Sequence, residues 1–422
     1  MYKLFTLKNG LRVILVPNKS TEVVTTIVMF RVGSRNETEE NAGISHVLEH
    51  LCFKGTKKRP TAHEMSEFVD SLGAMNNAFT DKEVTAYFVK ARPKNLEKSF
   101  DYLSDMLLNS LFRQEDLDRE KNVIIQEINM YQDQPMSMVG ENFEQAVYGH
   151  NALGRQVIGY KKTVKAVTSK ALFNYRDAYY QGENGVLVLA GNFGDRTEAD
   201  IKVLAEKYFQ FNNEEITKPE KIDLERSEIL ISQIKKTEQS HIILGFKTVS
   251  QNHPDFFKLE VLATLLGGSM SSRMFEEVRE RRGLAYAVRT RTLSYAETST
   301  LFTQAGVEHD KVEEAFSAIA GEYKKIKLEK VEEAELTKAK EVKCGRFLIT
   351  LEDSEELANH YAAEALLSDK ILTPNEIIEK YQSVTVEDIM DMANKYLVEE
   401  NMVASFVGPK IDKEKVISLI KL

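Results

Sequence analysis

The stretch EFVDSLGAMNNAFTDKEVTAYFVKARPKNLEKSFDYLSDML, residues 67 to 107, decides the fold because its order of elements recurs later in the chain. It predicts the end of a helix, a glycine, two strands, a short break and an amphipathic helix. The segment EEVRERRGLAYAVRTRTLSYAETSTLFTQAGVEHDKVEEAFSAIAGEY, residues 276 to 323, follows the same order. Gly73 then corresponds to Gly283, an offset of 283 − 73 = 210 residues. A fixed order of elements at a nearly constant offset indicates an internal duplication.

Two further matches extend the repeat along the chain. EDLDREKNVI resembles EAELTKAKEV, so that Val123 corresponds to Val342 at an offset of 342 − 123 = 219. AVTSKALFNYRDAYY resembles SVTVEDIMDMANKYL, so that Val167 corresponds to Val384 at an offset of 384 − 167 = 217. Each half then closes on an apolar strand that ends in glycine, GVLVLAGNFG in the first and MVASFVG in the second. Insertions in loops account for the drift in the offset.

The repeat predicts two homologous domains, residues 1–211 and 229–422, joined by a linker at 212–228. The linker sequence NNEEITKPEKIDLERSE is polar, contains a proline and lacks apolar periodicity. Short turns join the predicted strand pairs, which favours a largely antiparallel or mixed sheet with helices packed on one face. We therefore predict an α+β protein rather than a doubly wound one.

The composition limits the classes of function. The chain has 422 residues, of which 42% are hydrophobic and 29% charged, and its net charge is −9. An acidic chain argues against general nucleic-acid binding, which needs a basic face.

Two cysteines, Cys52 and Cys344, form no disulfide framework and favour a reducing compartment. The start, MYKLFTLKNGLRVILVP, predicts two strands around a turn instead of an export signal, and no apolar segment approaches the roughly 20 residues of a membrane helix. We expect a cytoplasmic protein that binds neither nucleic acid nor membranes.

The segment AGISHVLEHLCFKG, residues 42 to 55, raises the question of a metal site. Its apolar positions predict a helix, on which His46 and His50 lie on one face, one turn apart. Two imidazoles placed in this way can bind one zinc ion, and Glu49 beside them can reach a water molecule on that ion. A solvated helix face that is rich in polar residues is the alternative interpretation.

A catalytic zinc site needs three protein ligands and one open position, so a third ligand should come from another element. The segment DLDREKNVIIQEINMYQ predicts a helix that carries Glu120 and Glu127 on one face, two turns apart. One of these carboxylates could bind the metal while the other orients a ligand histidine through its second ring N–H. An exposed acidic stripe is the alternative for this pair.

The order H-x-x-E-H resembles the motif of the inverzincins, the pitrilysin and insulinase-type metallopeptidases. The resemblance extends over nearly the whole chain. It implies that His46, His50 and Glu127 bind one Zn²⁺ per subunit, since Glu127 follows His50 by 127 − 50 = 77 residues, as in the family. It also implies that Glu120 supports a ligand histidine and that Glu49 is the general base.

Two other segments share in this resemblance. The NAFT segment is similar to the family's edge strand, so Asn77, Ala78 and Phe79 are expected to bind substrate. The RERRGLAY segment is similar to its Arg/Tyr motif, so Arg279 and Tyr286 are expected to be catalytic residues. The chain length fits the subfamily whose two-domain subunits pair into a clamshell, as mitochondrial processing peptidase subunits and their bacterial relatives do.

The resemblance therefore implies a zinc endopeptidase that cleaves peptides or extended polypeptide segments inside a closed chamber. The second half carries no counterpart of the zinc helix, and the position that matches Glu127 (127 + 219 = 346) is Arg346. A homodimer in which each chain completes its partner's site is expected, with a heterodimer as the open alternative. A non-catalytic or dedicated partner or processing subunit of a heterodimeric peptidase is the alternative function.

Overall fold

The computed structural model describes residues 2–217, 219, 222 and 228–422. The linker predicted at 212–228 lies partly outside this range, since residues 218, 220, 221 and 223–227 are not among the described residues. The contacts divide the chain into two compact units, which are described separately below. The residues of unit 1 lie within 1–128, 155–221 and 350–371, and those of unit 2 lie within 129–154, 222–349 and 372–422.

The strands are, in chain order, β1 (Lys3–Thr6), β2 (Arg12–Pro17), β3 (Val24–Phe30), β4 (Met75–Thr80), β5 (Thr85–Ala91), β6 (Gly185–Gly191), β7 (Leu230–Ile234), β8 (Ser240–Thr248), β9 (Ala285–Ser294), β10 (Ser299–Val307) and β11 (Met402–Gly408). The strand pairs predicted in the two repeated segments are present in the structure. The two strands predicted within residues 67 to 107 are β4 and β5, and those predicted within residues 276 to 323 are β9 and β10.

The α-helices are α1 (Ile44–Cys52), α2 (Ala62–Leu72), α3 (Leu96–Asn109), α4 (Gln114–Gln132), α5 (Pro135–Tyr148), α6 (Lys161–Ala166), α7 (Ser169–Tyr179), α8 (Glu198–Tyr208), α9 (Phe256–Gly267), α10 (Val312–Leu328), α11 (Glu333–Thr350), α12 (Ser354–Leu367), α13 (Pro374–Gln382), α14 (Val386–Tyr396) and α15 (Lys413–Ile420). A π-helix spans Phe275–Arg281, and short 3₁₀ helices span Ser34–Asn36, Pro93–Asn95, His309–Lys311 and Glu399–Asn401. Among the described residues, no helix has both the length and the apolar character that crossing a bilayer requires.

The two sheets have the same topology. Within the described residues, the sheet of unit 1 has the order β1-β2-β6-β3-β5-β4, and the sheet of unit 2 has the order β7-β11-β8-β10-β9. The pairs β2–β6 and β7–β11 are parallel, and the other pairs are antiparallel. Aligned from β2 and from β7, the two orders correspond strand by strand. The predicted α+β class with mixed sheets is confirmed, and so is the duplicated order of elements.

Both faces of each sheet are covered, so the predicted packing of helices on one face describes only part of each unit. In unit 1, Val186 and Val188 of β6 share a cluster with Tyr361 and Ala362 of α12. Leu187, which points to the other face because side chains alternate along a strand, is buried as well. Both β3 and β6 are buried along their whole length, and this double-sided burial explains why β6 contains no polar side chain.

Unit 2 is built in the same way. Ile243 of β8 and Phe302 of β10 pack with Val139 of α5, whereas Leu244 belongs to a larger cluster that includes α9, α10 and α14. The helix on the second face of each sheet comes from the other half of the sequence, α12 in unit 1 and α5 in unit 2. The division into 1–211 and 229–422 stays a prediction about the sequence repeat, whereas the compact units are discontinuous in sequence.

Candidate functional site

Helix α1 carries both histidines of the H-x-x-E-H segment. It starts after Gly43, whose φ of 95° is a left-handed conformation that suits glycine. Val47 and Leu51 are fully buried and fix one face of the helix against unit 1. The rings of His46 and His50 then lie together, with their centroids 4.6 Å apart.

The start of α1 is held by Glu37. Its carboxylate accepts hydrogen bonds from the backbone N–H groups of Gly43 at 2.7 Å and of Ser45 at 2.8 Å. N–H groups at a helix start have no partner within the helix, so the carboxylate satisfies two of them. Burial raises the pKa of Glu37 to about 7, although these N–H groups act in the opposite direction. Glu37 therefore fixes the position from which the histidines project.

Helix α4 brings Glu127 to the two histidines. Its Oε2 atom lies 3.8 Å from His46 Nε2 and 3.7 Å from His50 Nε2, and the three ligand atoms all lie within 4.8 Å of one another. These separations are too long for direct hydrogen bonds. Ligand atoms about 2.0–2.1 Å from a tetrahedral zinc ion would be roughly 3.4 Å apart, close to what is observed. Two imidazole nitrogens and one carboxylate oxygen also form a donor set that zinc accepts.

The protonation state of His46 suits metal binding. Burial lowers the pKa of His46 to about 3, and the neighbouring His50 contributes to this shift. A neutral imidazole has a lone pair available for a metal ion at neutral pH. Its Nδ1 atom is buried and has no hydrogen-bond partner among the described residues, so the ring is positioned by packing. The residues present thus fit a zinc ion in both geometry and chemistry.

Glu120 contacts His50 from the side away from Glu127. Its Oε2 atom lies 3.1 Å from His50 Nδ1, and its Oε1 atom accepts a hydrogen bond from Lys54 Nζ at 2.7 Å. Burial alone would raise the pKa of Glu120, but His50 and Lys54 outweigh burial and hold this pKa below its ordinary value. The ionised carboxylate can therefore accept the Nδ1 proton of His50 and leave Nε2 free to bind a metal.

Glu49 lies beside the three candidate ligands without joining them. The hydroxyl of Thr80, at the end of β4, donates a hydrogen bond to Glu49 Oε2. Burial raises the pKa of Glu49 and the nearby Glu127 raises it further, while Thr80 and His50 act against them. A carboxylate with a raised pKa is a better base near neutral pH.

The predicted substrate-binding residues Asn77, Ala78 and Phe79 lie in β4, next to α1. β4 is the last strand of its sheet, and no described strand pairs with its second edge. Such an edge can accept an extended peptide through backbone hydrogen bonds.

Arg279 and Tyr286 are brought together in unit 2. The π-helix carries Arg279, and β9 begins just before Tyr286. The guanidinium carbon of Arg279 lies 5.1 Å from the ring centroid of Tyr286 and 4.6 Å from that of Phe275. Tyr286 is 79% exposed, so its hydroxyl is available to a ligand.

Three residues that contact this site were not among the predicted ones: Glu37, Lys54 and Thr80. Lys54 follows His50 by four residues, and this spacing could have identified it. Thr80 lies within the NAFT segment, but its contact with Glu49 depends on how β4 packs beside α1. Nothing in the local sequence connects Glu37 with the start of α1.

The fold and the His-His-Glu group define a class, α+β proteins that have the ligand pattern of zinc peptidases. Two family models match the chain: insulinase (peptidase family M16) over residues 12–161 and the peptidase M16 inactive domain over residues 166–343. The chain belongs to the insulinase family of peptidases, M16.

Relatives with similar sequences cover the whole length. The chain is 34% identical to the uncharacterized zinc protease YmxG of Bacillus subtilis, over 96% of this chain and 98% of the relative. It is 33% identical to an uncharacterized zinc protease of Rickettsia felis, over 96% of each chain. The fold is similar to the crystal structure of a protease from Helicobacter pylori, with a TM-score of 0.89, 24% identity and coverage of 97% of this chain and 99% of that one.

Proposed function

We propose that this protein is a zinc-dependent endopeptidase that cleaves peptides or extended polypeptide segments inside a closed chamber. The observation that carries the proposal is the convergence of His46, His50 and Glu127, with Glu49 beside them. These three ligands would hold one zinc ion per subunit and leave one coordination position open. Family membership and the relatives named zinc proteases support this assignment.

The residues of the chain then have distinct roles. When bound, zinc supplies a Lewis acid that lowers the pKa of a water molecule and polarises a peptide carbonyl. Glu49 removes a proton from the attacking water and delivers it to the leaving amine as the peptide C–N bond breaks. Thr80 holds the Glu49 carboxylate, and Glu120 holds the His50 ring in the orientation that exposes Nε2.

Substrate binding is assigned to the edge strand. Backbone pairing with Asn77, Ala78 and Phe79 would hold an extended peptide with little dependence on its sequence. Arg279 and Tyr286 would contact the substrate and stabilise the oxyanion that forms as water attacks the carbonyl. We propose a homodimer in which these two residues complete the partner's zinc site, since closed twofold pairs are the commonest oligomers.

The test is cleavage of a mixed peptide library, with and without a chelator, followed by mass spectrometry of the products. We expect cleavage that the chelator abolishes and that added zinc restores. Absence of cleavage, or cleavage that the chelator leaves unchanged, would contradict the proposal.

The alternative is a non-catalytic or dedicated processing subunit that needs a related partner chain. Glu49 and the three candidate ligands are all present, and this favours the catalytic assignment. If the purified chain cleaves peptides only after a related chain from the same organism is added, the alternative is correct.

A further inference from the structure

Unit 2 contains a cavity of about 990 Å³ above β9 and β10. Residues of α5 and of the segment 267–270 line it, and its apolar part includes Ile243, Leu293 and Phe302. This volume lies at the upper end of the range for ligand pockets, so the cavity has room for several peptide residues.

The lining of this cavity is positively charged, although the chain as a whole is acidic. Among the described residues, the charged groups that line it are Arg279, Arg289, Arg291, Arg346, Glu141 and Glu144. The arginines outnumber the glutamates, while the whole chain has a net charge of −9. A local reversal of charge inside a cavity raises the local concentration of anionic ligands.

Of the four arginines that line the cavity among the described residues, Arg289 and Arg291 have no role in the proposed catalytic site and no contact that holds the cavity wall. Side chains alternate along a strand, so both project from the same face of β9, and both are exposed to solvent. Neither guanidinium group has a hydrogen bond or an ion pair with any described residue, and that of Arg291 lies 5.1 Å from the Phe302 ring centroid. Partial desolvation lowers the pKa of Arg291, and the charge of Arg289 lowers it further, although Glu144 acts against both effects. An anion placed between the two guanidinium groups would relieve this repulsion.

The part of the lining that comes from residues 267–270 depends on a close backbone approach. A Cβ atom at Gly267 would lie 2.2 Å from Thr290 Oγ1 and 2.5 Å from Thr290 N, so only glycine allows this segment to lie so near β9. The Arg346 guanidinium donates a hydrogen bond to the carbonyl of Gly268, the residue that follows Gly267, and so helps to hold this segment in place. These two contacts therefore fix the position of the segment that lines the cavity.

We propose that this cavity binds a carboxylate of the peptide substrate, with Arg289 and Arg291 as the recognition residues, an inference that rests on the proposed function. Guanidinium groups pair with carboxylates through two parallel hydrogen bonds, and the apolar residues beside them suit the aliphatic part of an acidic side chain or a neighbouring residue. Either an Asp or Glu side chain or the C-terminal carboxylate of the substrate can supply this group.

The test compares three peptides that differ only in charge: an acidic parent, a version with Asn and Gln in place of Asp and Glu, and a version with an amidated C-terminus. The double variant Arg289→Gln/Arg291→Gln removes the recognition residues. The matched control is Lys324→Gln/Lys330→Gln, which removes the same charge from exposed residues of unit 2 that do not line the cavity.

We expect the wild type to prefer the acidic parent, and the arginine variant to lose about tenfold of that preference in kcat/KM. The control variant should keep the wild-type ratio. The peptide that the wild type cleaves less well identifies whether the side chains or the C-terminus supply the carboxylate. An arginine variant with the same preference as the control would overturn the inference.

Binding separates this inference from the proposed function. Fluorescence anisotropy of labelled forms of the same peptides reports binding even if no peptide is cleaved. We expect the arginine variant to bind the acidic parent about tenfold more weakly, with the difference shrinking at high salt. Equal binding of the acidic parent by the arginine variant and the control would overturn the carboxylate site, whatever the result for cleavage.

Discussion

The Nδ1 atom of His50 lies 3.1 Å from Oε2 of Glu120, and the second oxygen of that carboxylate accepts a hydrogen bond from Lys54. An ionised Glu120 can only accept, so the proton of a neutral His50 is placed on Nδ1. The lone pair of Nε2 then faces Glu127 and the proposed metal. The geometry of one ligand is therefore set by a residue that does not bind the metal itself.

Replacement of Glu120 should weaken metal binding without abolishing it. In Glu120→Ala, the His50 ring loses its orientation, and we expect the affinity for zinc to fall by about 10- to 100-fold. Competition with a zinc-binding dye measures this change. Glu115→Ala on the same helix is the control, since Glu115 is exposed, and it should leave the affinity unchanged. A wild-type affinity in Glu120→Ala would contradict the assigned role.

Removal of a direct ligand should have a larger effect. Wild-type protein should contain about one zinc per chain, and His50→Ala and Glu127→Ala should each lose most of it, because two ligands hold zinc poorly. Elemental analysis after gel filtration gives the content. His63→Ala removes an exposed histidine from α2 and serves as the control. Full zinc content in either site variant would remove that residue from the ligand set.

Glu37 should make the folding stability depend on pH. Its pKa in the folded protein is about 7, above the ordinary 4.5, because burial disfavours the carboxylate. The folded protein therefore binds a proton that the unfolded chain releases, and the stabilisation is full below the ordinary pKa and is lost as pH rises through about 7. The neighbouring Tyr175 and Tyr179 stay neutral over this range because their pKa values are raised.

The measurement compares urea unfolding of the wild type and Glu37→Gln at several pH values. Gln does not titrate, so we expect its destabilisation relative to the wild type to be largest near pH 5 and to shrink toward pH 8. Between these pH values, the difference in the free energy of unfolding between the wild type and Glu37→Gln should change by at most about 3 kcal/mol. A difference in the free energy of unfolding that stays constant over this range would show that Glu37 does not titrate there.

Local patterns were enough to predict some parts of the site and of the fold. The four-residue spacing of His46 and His50 and the seven-residue spacing of Glu120 and Glu127 are set by helix geometry, so each pair could be placed on one face. The duplicated order of elements followed from strand and helix periodicity. The exchange of α5 and α12 between the two halves could not be predicted from periodicity, because an apolar helix face does not specify which sheet will cover it. Contacts such as Thr80 with Glu49 likewise depend on tertiary packing.

Mixing two inactive variants tests whether the site is shared between chains. Glu49→Gln and Tyr286→Phe should each be nearly inactive. After subunit exchange in equal amounts, half of the dimers are mixed and each has one intact site, so about a quarter of the wild-type activity should return. Activity assays and a mass measurement that confirms exchange provide the readout.

The control mixture is Glu49→Gln with His50→Ala. Both of its defects lie in the zinc half of the site, so its mixed dimers contain no intact site and should stay inactive. If exchange is confirmed and the Glu49→Gln and Tyr286→Phe mixture also stays inactive, Arg279 and Tyr286 do not complete a partner's site.

The most direct test of the central claim is to measure zinc content and peptide cleavage together in Glu49→Gln. Gln has nearly the same shape as Glu but cannot take a proton from water, and Glu49 lies outside the proposed ligand set. We expect zinc content close to that of the wild type and a fall in kcat of at least about a hundredfold. A variant that keeps its zinc and cleaves peptides at the wild-type rate would contradict the assignment of Glu49 as the general base of a zinc peptidase.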